Sequence, residues 1–307
     1  MTATGMSPAV TRPTGSDAVL MSVALVAVST SGPLMAATAA PALAIAFWRN
    51  AMGGAVMLPV ALVTARDELR GLDRRERWLA LAAGAFLALH FGTWIPALTY
   101  TSVASATALV ATQPIWAAFI SGARGAPVGG RVWAGIGVAT AGALLLTGVD
   151  LSVSGRALFG DLLAIAGGLF AAGYMSLGGE VRRSVSTTTY TALCYSTTAV
   201  LLLVACLAGR QSLTGYDAQT WLKLVAITAG AQLLGHSLFN VVLRRVSPTV
   251  VSMSILLEIP GAALIAALFL GQTPPLLAIP AAVLLVTGLG LVIRAGSRGQ
   301  EPSIPVE

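Results

Sequence analysis

Runs of about 20 apolar residues, the length a helix needs to cross a hydrocarbon core of ~30 Å, recur ten times along this chain. They cover residues 18–38, 41–64, 78–98, 103–122, 131–149, 158–179, 188–208, 219–243, 248–270 and 275–295. The first two are hard to separate, because Gly32, Pro33 and Pro41 interrupt one stretch of small residues. Only 10% of the 307 residues are charged, against roughly 25% in an ordinary soluble domain. A chain so poor in charge and so rich in spanning lengths is read as an integral membrane protein. The polar segment before residue 18 holds a single basic residue, Arg12. The run after it is too long and too rich in Ala and Val to demand a cleaved signal, so it is read as retained.

A net charge of +6 raises the question of nucleic acid, and the placement of the basic residues answers it. With the N-terminus on the cytoplasmic side, the inner segments hold Arg12, Arg66, Arg70, Arg74, Arg75, Arg77, Arg124, Arg131, Arg182, Arg183, Arg244, Arg245, Arg294 and Arg298. The outer segments hold only Arg156, Arg210 and Lys223, counting residues at the ends of runs with the segments they adjoin, and Arg49 alone lies well inside a run. That imbalance is the positive-inside rule, so the charge reports topology and no nucleic-acid partner is expected. Both termini are expected on the cytoplasmic side of the cell (inner or plasma) membrane. Cys194 and Cys206 fall twelve residues apart in one run, about 18 Å by helical rise, so they do not bridge. No metal-ligand spacing exists, and no cofactor is expected.

The segments GAFLALH, ending at His90, and GAQLLGH, ending at His236, share four of seven residues. In the same register Pro114 falls on Pro260, Ala117 on Ala263, Gly142 on Gly288 and Leu145 on Leu291. The only two histidines are therefore equivalent positions of a duplicated unit. Five spans per unit is an odd number, so the second copy enters the membrane from the opposite side. The expected fold is an all-α integral membrane protein of ten transmembrane helices in two five-helix inverted repeats. The repeats run over 18–149 and 158–295, with cytoplasmic tails at 1–17 and 296–307. Inverted repeats belong to secondary transporters, whose site lies near the midplane between the halves. The paired Pro114 and Pro260 each remove a backbone donor, so both are expected as helix kinks lining one cavity, or as kinks at a helix contact.

An ionisable side chain inside a span is a functional candidate by default. Arg49 can bind a carboxylate or phosphate with its planar fork, pair with a helix-end carbonyl, or snorkel outward. Gln232, His236 and Asn240 are spaced i, i+4, i+8, one stripe on one helix face, read as a cavity wall or as interhelical hydrogen bonding. His90 and Trp94 share a face, with an interfacial tryptophan belt as the alternative for Trp94. Gln113 and Thr112 add polarity before Pro114, Tyr174 and Tyr195 being weaker candidates. Glu258, the only ionisable residue in SILLEIPGAALIAALFLG (254–271), is read as a proton-coupling or substrate-binding carboxyl, with Ser254 one turn earlier as a hydrogen-bond donor to it. A desolvated carboxyl takes up protons readily, and His90 and His236 are read as relay partners for it, imidazole in general titrating near physiological pH. The alternative is a structural carboxyl bonded to backbone groups freed by Pro260.

Taken in order, PALAIAFWRNAMGGAVMLPVAL (41–62), IPALTYTSVASATALVATQPIWAAF (95–119) and LEIPGAALIAALFLGQ (257–272) resemble the EamA-type transporters of the drug/metabolite transporter superfamily. The resemblance runs over roughly residues 18–295 and implies a ten-helix inner-membrane carrier that exports amino acids, other metabolites or drugs. It also implies that spans 1–4 and 6–9 line the pathway, with 5 and 10 peripheral. Two departures stand out: Gly271 is followed by Gln272 where the family often has Glu, and SGARG (121–125) lacks a matching acid.

A secondary carrier of a small-molecule substrate is the expected function, possible proton coupling included, with the bilayer as its other partner and a homodimer left open. No GxxxxGK[ST] loop exists to bind ATP. The alternatives are a membrane-embedded enzyme such as a lipid transferase, which would ordinarily show paired acids, a nucleophile beside a base, or metal ligands, and a non-transporting scaffold. Composition leaves open the substrate, its direction and the coupling ion.

Overall fold

The computed structural model describes residues 13–101, 106, 109–147, 154–270 and 277–297, and every regular element among them is helical. The chain enters the first helix, α1 (Gly15–Ser29), through a capping box: Asp17 N donates to Thr14 Oγ1 at 3.3 Å and Thr14 N donates to Asp17 Oδ2 at 3.0 Å. These polar residues satisfy the orphan amides of the first turn, so the helix begins inside the segment expected as a tail. A short α2 (Ser31–Ala36) follows, and Pro41 opens α3 (Ala42–Thr64) as its N-cap. Next come α4 (Arg66–Gly71) and α5 (Arg74–Tyr100), the latter started by an Asp73/Glu76 capping box. The first half closes with α6 (Gln113–Ala123) and α7 (Gly130–Thr147).

The second half begins with α8 (Gly155–Val181) and α9 (Thr187–Ala208). The eighth apolar run is α10 (Ala218–Ile227), a π-helical segment (Thr228–His236) and α11 (Ser237–Val242), end to end. The ninth run is two helices, α12 (Pro248–Ile255) and α13 (Glu258–Leu270), and α14 (Ala278–Ser297) completes the described chain. Among the described residues six stretches are long and apolar enough to span a bilayer by themselves: Gly15–Met35, Ala42–Thr64, Arg74–Tyr100, Gly155–Val181, Thr187–Ala208 and Ala218–Val242. Shorter apolar helices accompany them. Gly271 and Gln272, the departure from the family pattern, lie outside the described residues.

The prolines do not act as kinks in continuous helices. Pro114 is the second residue of α6 and Pro260 the third of α13, positions whose amides have no intrahelical partner in any case. Each marks the start of a new helix after a break. Nor is the Leu256 carbonyl left free: it accepts from Ile259 N at 3.3 Å, and Leu257 O accepts from Gly261 N at 3.2 Å. At the other break a Cβ on Gly168 would stand 2.9 Å from Val110 O, so only glycine lets α8 approach that exposed backbone.

Packing follows the duplication. The most extensive contacts join α5 to α8, α7 to α14, and α3 to α9. α1 packs on the π segment, α11 and α13. Exchanging the halves turns the α5/α8 contact, third run on sixth, into that of the eighth run on α1, whereas α3/α9 and α7/α14 each map onto themselves. The α7/α14 crossing is close because it is made of small residues. A Cβ on Gly135 would stand 2.8 Å from Gly288 O, and one on Gly288 2.5 Å from Gly135 O. Backbones this near gain dispersion contacts that lipid tails do not replace.

Candidate functional site

Between the halves lies a cavity of about 790 Å³, within the range of small-molecule pockets. Its lining draws on both: Arg49, His90, Trp94 and Gln113 from the first, and Tyr174, His236 and Glu258 from the second. The two helix breaks meet here, since Val110, Ala111 and Gln113 line the wall at one and Ile255, Leu256, Glu258 and Ile259 at the other. Discontinuous helices at a site between repeats are a recurring design where irregular backbone lines a cavity.

Arg49 is 1% exposed, although guanidinium remains charged at any physiological pH. Its Nε donates to Gln232 Oε1 at 3.0 Å, Gln232 Nε2 donates to Asn50 Oδ1 at 3.0 Å, and Asn50 Nδ2 donates to Ala46 O at 2.8 Å. Nη1 reaches Ser31 Oγ at 3.5 Å. The guanidinium carbon sits 4.4 Å from the centre of the Phe91 ring, a contact worth ~2 kcal/mol when desolvated. Nη2 is buried without a hydrogen-bond partner among the described residues, and the ion pairs among them do not include Arg49. Arg49 therefore does not snorkel; the chain Arg49–Gln232–Asn50 fixes it against the cavity.

Glu258 lines the same cavity as the first residue of α13, and no hydrogen bond or ion pair among the described residues reaches its carboxyl. Ser254 is not its partner: Ser254 Oγ donates to Val250 O at 2.9 Å, back into its own helix. The Gln232, His236, Asn240 stripe is also corrected. Gln232 is committed to Arg49 and Asn50, and Asn240 Oδ1 accepts from Tyr174 Oη at 3.0 Å. Of the three only His236 lines the cavity. The π segment, with i→i+5 bonding, ends at His236, so the α-helical spacing assumed for the stripe does not apply across it.

His90 Nδ1–H donates to Gly167 O at 2.9 Å, a bond that fixes the orientation of the ring. The ring stacks on Trp94, 5.8 Å between centroids and 5° between planes. Trp94 is thus a cavity residue and not part of an interfacial belt. His236 packs edge-on against Phe91 at 5.9 Å. Trp94 Nε1 and His236 Nδ1 are buried and unpartnered among the described residues. Gln113 Nε2 donates to Ser252 Oγ at 2.8 Å, tying one break to the helix before the other. Tyr195 stands back, with Oη donating to Gln232 O at 3.2 Å.

Sequence reasoning passed over Ser31, Asn50 and Phe91. Asn50 sits beside Arg49 in the same span and was open to the same polar-in-apolar test; Ser31 and Phe91 carry no comparable signal.

The cavity runs from Glu258 and His236 toward Thr38, Ala40, Leu98 and Thr99 at helix ends, and among the described residues none of its lining comes from the arginine-rich end. That end is closed by contacts between the halves. Glu68 accepts from Ser186 N at 2.6 Å, Thr189 Oγ1 at 2.5 Å and Ser186 Oγ. Ser184 Oγ donates to Glu76 at 2.6 Å, Arg75 pairs with Glu180 at 2.8 Å, and Arg245 pairs with Asp17 at 2.7 Å.

A family profile described as the EamA-like transporter family matches this chain twice, over residues 16–148 and 158–294. The chain belongs to the EamA-like transporter family. This EamA-like chain, by family and by its apolar helices, is a multi-pass membrane protein of a transporter family. Among curated proteins none matches it. A solved structure titled only "Crystal structure of protein" is similar to it with a TM-score of 0.77 at 18% identity, covering 94% of this chain and 100% of that one. At that identity the likeness speaks for the EamA-like chain's fold alone.

Proposed function

We propose that this EamA-like protein is a secondary carrier that moves small metabolites, amino-acid-like compounds or drugs by alternating access, in the direction of export, with proton coupling through Glu258. The observation that carries the reading is one cavity built by both halves at the meeting of two helix breaks, open toward one end and closed by inter-half contacts at the other. In this reading ten helices form two inverted five-helix repeats, and the exchange symmetry of the packing supports it. The arginine-rich end and both termini face the cytoplasm of the cell membrane, and the conformation is outward-facing. Arg49, His90, Trp94, Gln113 and His236 bind substrate or pass protons, Gln232 and Asn240 hold Arg49 and Tyr174 in place, and Glu258 is the carboxyl that changes charge during the cycle. A carboxyl that can be neutral avoids much of the cost of crossing a low-dielectric midplane, which suits it to that task.

The test is a metabolite-release screen on cells overexpressing the protein, followed by flux in proteoliposomes with and without an imposed pH gradient. Gradient-driven accumulation in wild type, lost in Glu258→Gln while exchange persists, is the expected result. Wild-type gradient dependence in that variant would remove Glu258 from coupling, and absence of protein-dependent flux for every released compound would overturn the carrier reading.

A further inference from the structure

We infer that Arg49 is neutralised in turn by Glu258 and by a carboxylate of the transported molecule, so that the substrate's anion and the charge of Glu258 exclude each other. The inference rests on the carrier reading and names the substrate class: a small carboxylate with an apolar or aromatic body. Arg49 is a fixed positive charge that is 1% exposed, lines the cavity and has no ion-pair partner among the described residues. A buried cation without a counter-charge is strongly disfavoured. Glu258, on the same cavity, has neither hydrogen bond nor ion pair among the described residues. It is the resting counter-charge that the cavity supplies.

The guanidinium is aimed before any ligand arrives. Gln232 holds Nε, Phe91 covers one face and Nη2 is buried without a hydrogen-bond partner among the described residues. A planar fork with an unbonded nitrogen is the group that recognises carboxylate geometry, where an ammonium would act only as a point charge. The remaining walls, with Trp94, Met35, Ile95, Met175 and Ile259, suit an apolar body. An anion seated on Arg49 takes away the counter-charge that kept Glu258 ionised, and Glu258 then takes a proton from water. One proton enters with each anion, and the net charge of the site is unchanged.

The other titratable groups around Glu258 are few. Of the elements packed on α13, α1 carries Asp17, already paired with Arg245; α2 carries none; α7 carries Arg131 in its first turn. Across the cavity stand Arg49, His90, Tyr174 and His236. Among these Glu258 alone takes a proton by losing a negative charge, whereas a proton on His90 or His236 would create a second buried cation beside Arg49.

The test titrates purified full-length protein with three probes of matched shape, phenylacetate, phenethylamine and 2-phenylethanol, following the change in tryptophan fluorescence, to which Trp94 contributes from the cavity wall, and confirming by calorimetry. Phenylacetate is expected to bind at least tenfold more tightly than the other two. Its affinity should rise as pH falls from about 8 to about 6, where an ordinary carboxylic acid stays ionised, because binding takes up a proton. Glu258→Gln should bind phenylacetate more tightly than wild type at the upper pH and lose the pH dependence. Arg49→Lys, checked for wild-type melting, should bind at least tenfold more weakly, and Arg49→Gln, should it fold, more weakly still. A gain of affinity in Glu258→Gln is not the outcome of a merely structural role. Preference for the amine or the alcohol, or unchanged pH dependence in Glu258→Gln, overturns the inference and leaves the carrier reading to its flux assay. Tight, pH-dependent phenylacetate binding without flux of any compound would uphold the site and sink the carrier reading instead.

Discussion

Glu68→Ala should open the arginine-rich end. Glu68 lies on α4 and accepts three hydrogen bonds from Ser186 and Thr189 at the start of α9, so it clasps one half to the other. A hydrogen bond to a charged group contributes about 1.5–3 kcal/mol, but Glu68 is half-buried, and screening reduces each to roughly 0.5–1 kcal/mol. Three such bonds give about 1.5–3 kcal/mol, and with about 1.4 kcal/mol per factor of ten the closed state loses roughly 10- to 100-fold against states open at that end. The assay is labelling of a cysteine at position 175 in a chain whose Cys194 and Cys206 are replaced by Ala. Met175 is buried and lines the cavity. A membrane-impermeant thiol reagent applied from the arginine-rich side should react at least tenfold faster in Glu68→Ala, with Glu68→Gln between. Burial raises the Glu68 pKa, but the bonds from Ser186 and Thr189 and the nearby Arg182 outweigh it and hold the carboxyl below its ordinary value of 4.5. With a depressed folded pKa, the clasp is fully present above 4.5 and is lost as pH falls through the lower value. Equal labelling of wild type and Glu68→Ala at neutral pH would refute the clasp.

The other predictions concern packing, the Arg49 support and topology. Gly288→Leu drives a branched side chain into Gly135 O and Ala139, and overpacking of this kind costs about 1–3 kcal/mol; a lower melting temperature in detergent checks it, and an unchanged one would mean that α7 and α14 part without cost. Gln232→Leu leaves Arg49 Nε and Asn50 Oδ1 unbonded, at about 1–3 kcal/mol each, so both stability and transport should fall, whereas a normal pair of values would show that Arg49 needs no support. A cysteine placed in the 210–217 loop should react with impermeant reagent outside intact cells and one between residues 66 and 77 should not; the reverse pattern inverts every side assignment.

Much of this was legible in the sequence because the bilayer permits so few solutions. Apolar run length announces helices, and every regular element among the described residues is one. Arg49, His90, Trp94, Gln113, His236 and Glu258 could each be picked out as polar or aromatic groups in apolar runs, and all six line one cavity. The errors share a cause, which is the assumption of ideal α-helix. The Gln232, His236, Asn240 stripe presumed a fixed turn, and nothing in TAGAQLLGH announces π winding. Pro114 and Pro260 read as mid-helix kinks because sequence tells which amide is missing and not whether the helix has already stopped. The partners of Gln232 and Glu68 come from segments more than a hundred residues away, and such pairings follow from packing alone.

The 146-residue register between the halves carries one step more. It sets Arg49 on Tyr195, Thr112 on Glu258, Val28 on Tyr174 and Trp94 on Asn240, as well as His90 on His236. Thr112 and Glu258 both stand where a helix starts after a break, and Val28 and Tyr174 both line the cavity. The duplication therefore repeats positions while changing the chemistry placed at them. Among the described residues the one cation lining the cavity, Arg49, comes from one copy and the one cavity carboxyl, Glu258, from the other, so neither half alone holds a neutral pair. A repeated scaffold allows two conformations of similar energy, since exchanging the halves nearly exchanges the inward and outward forms. A difference in affinity between those forms must come from groups that the copies do not share. On this chain Arg49 and Glu258 are the charged pair among such groups, beside Trp94 and Tyr174, and in the proposed carrier a motion of one half against the other changes the distance between the two charges.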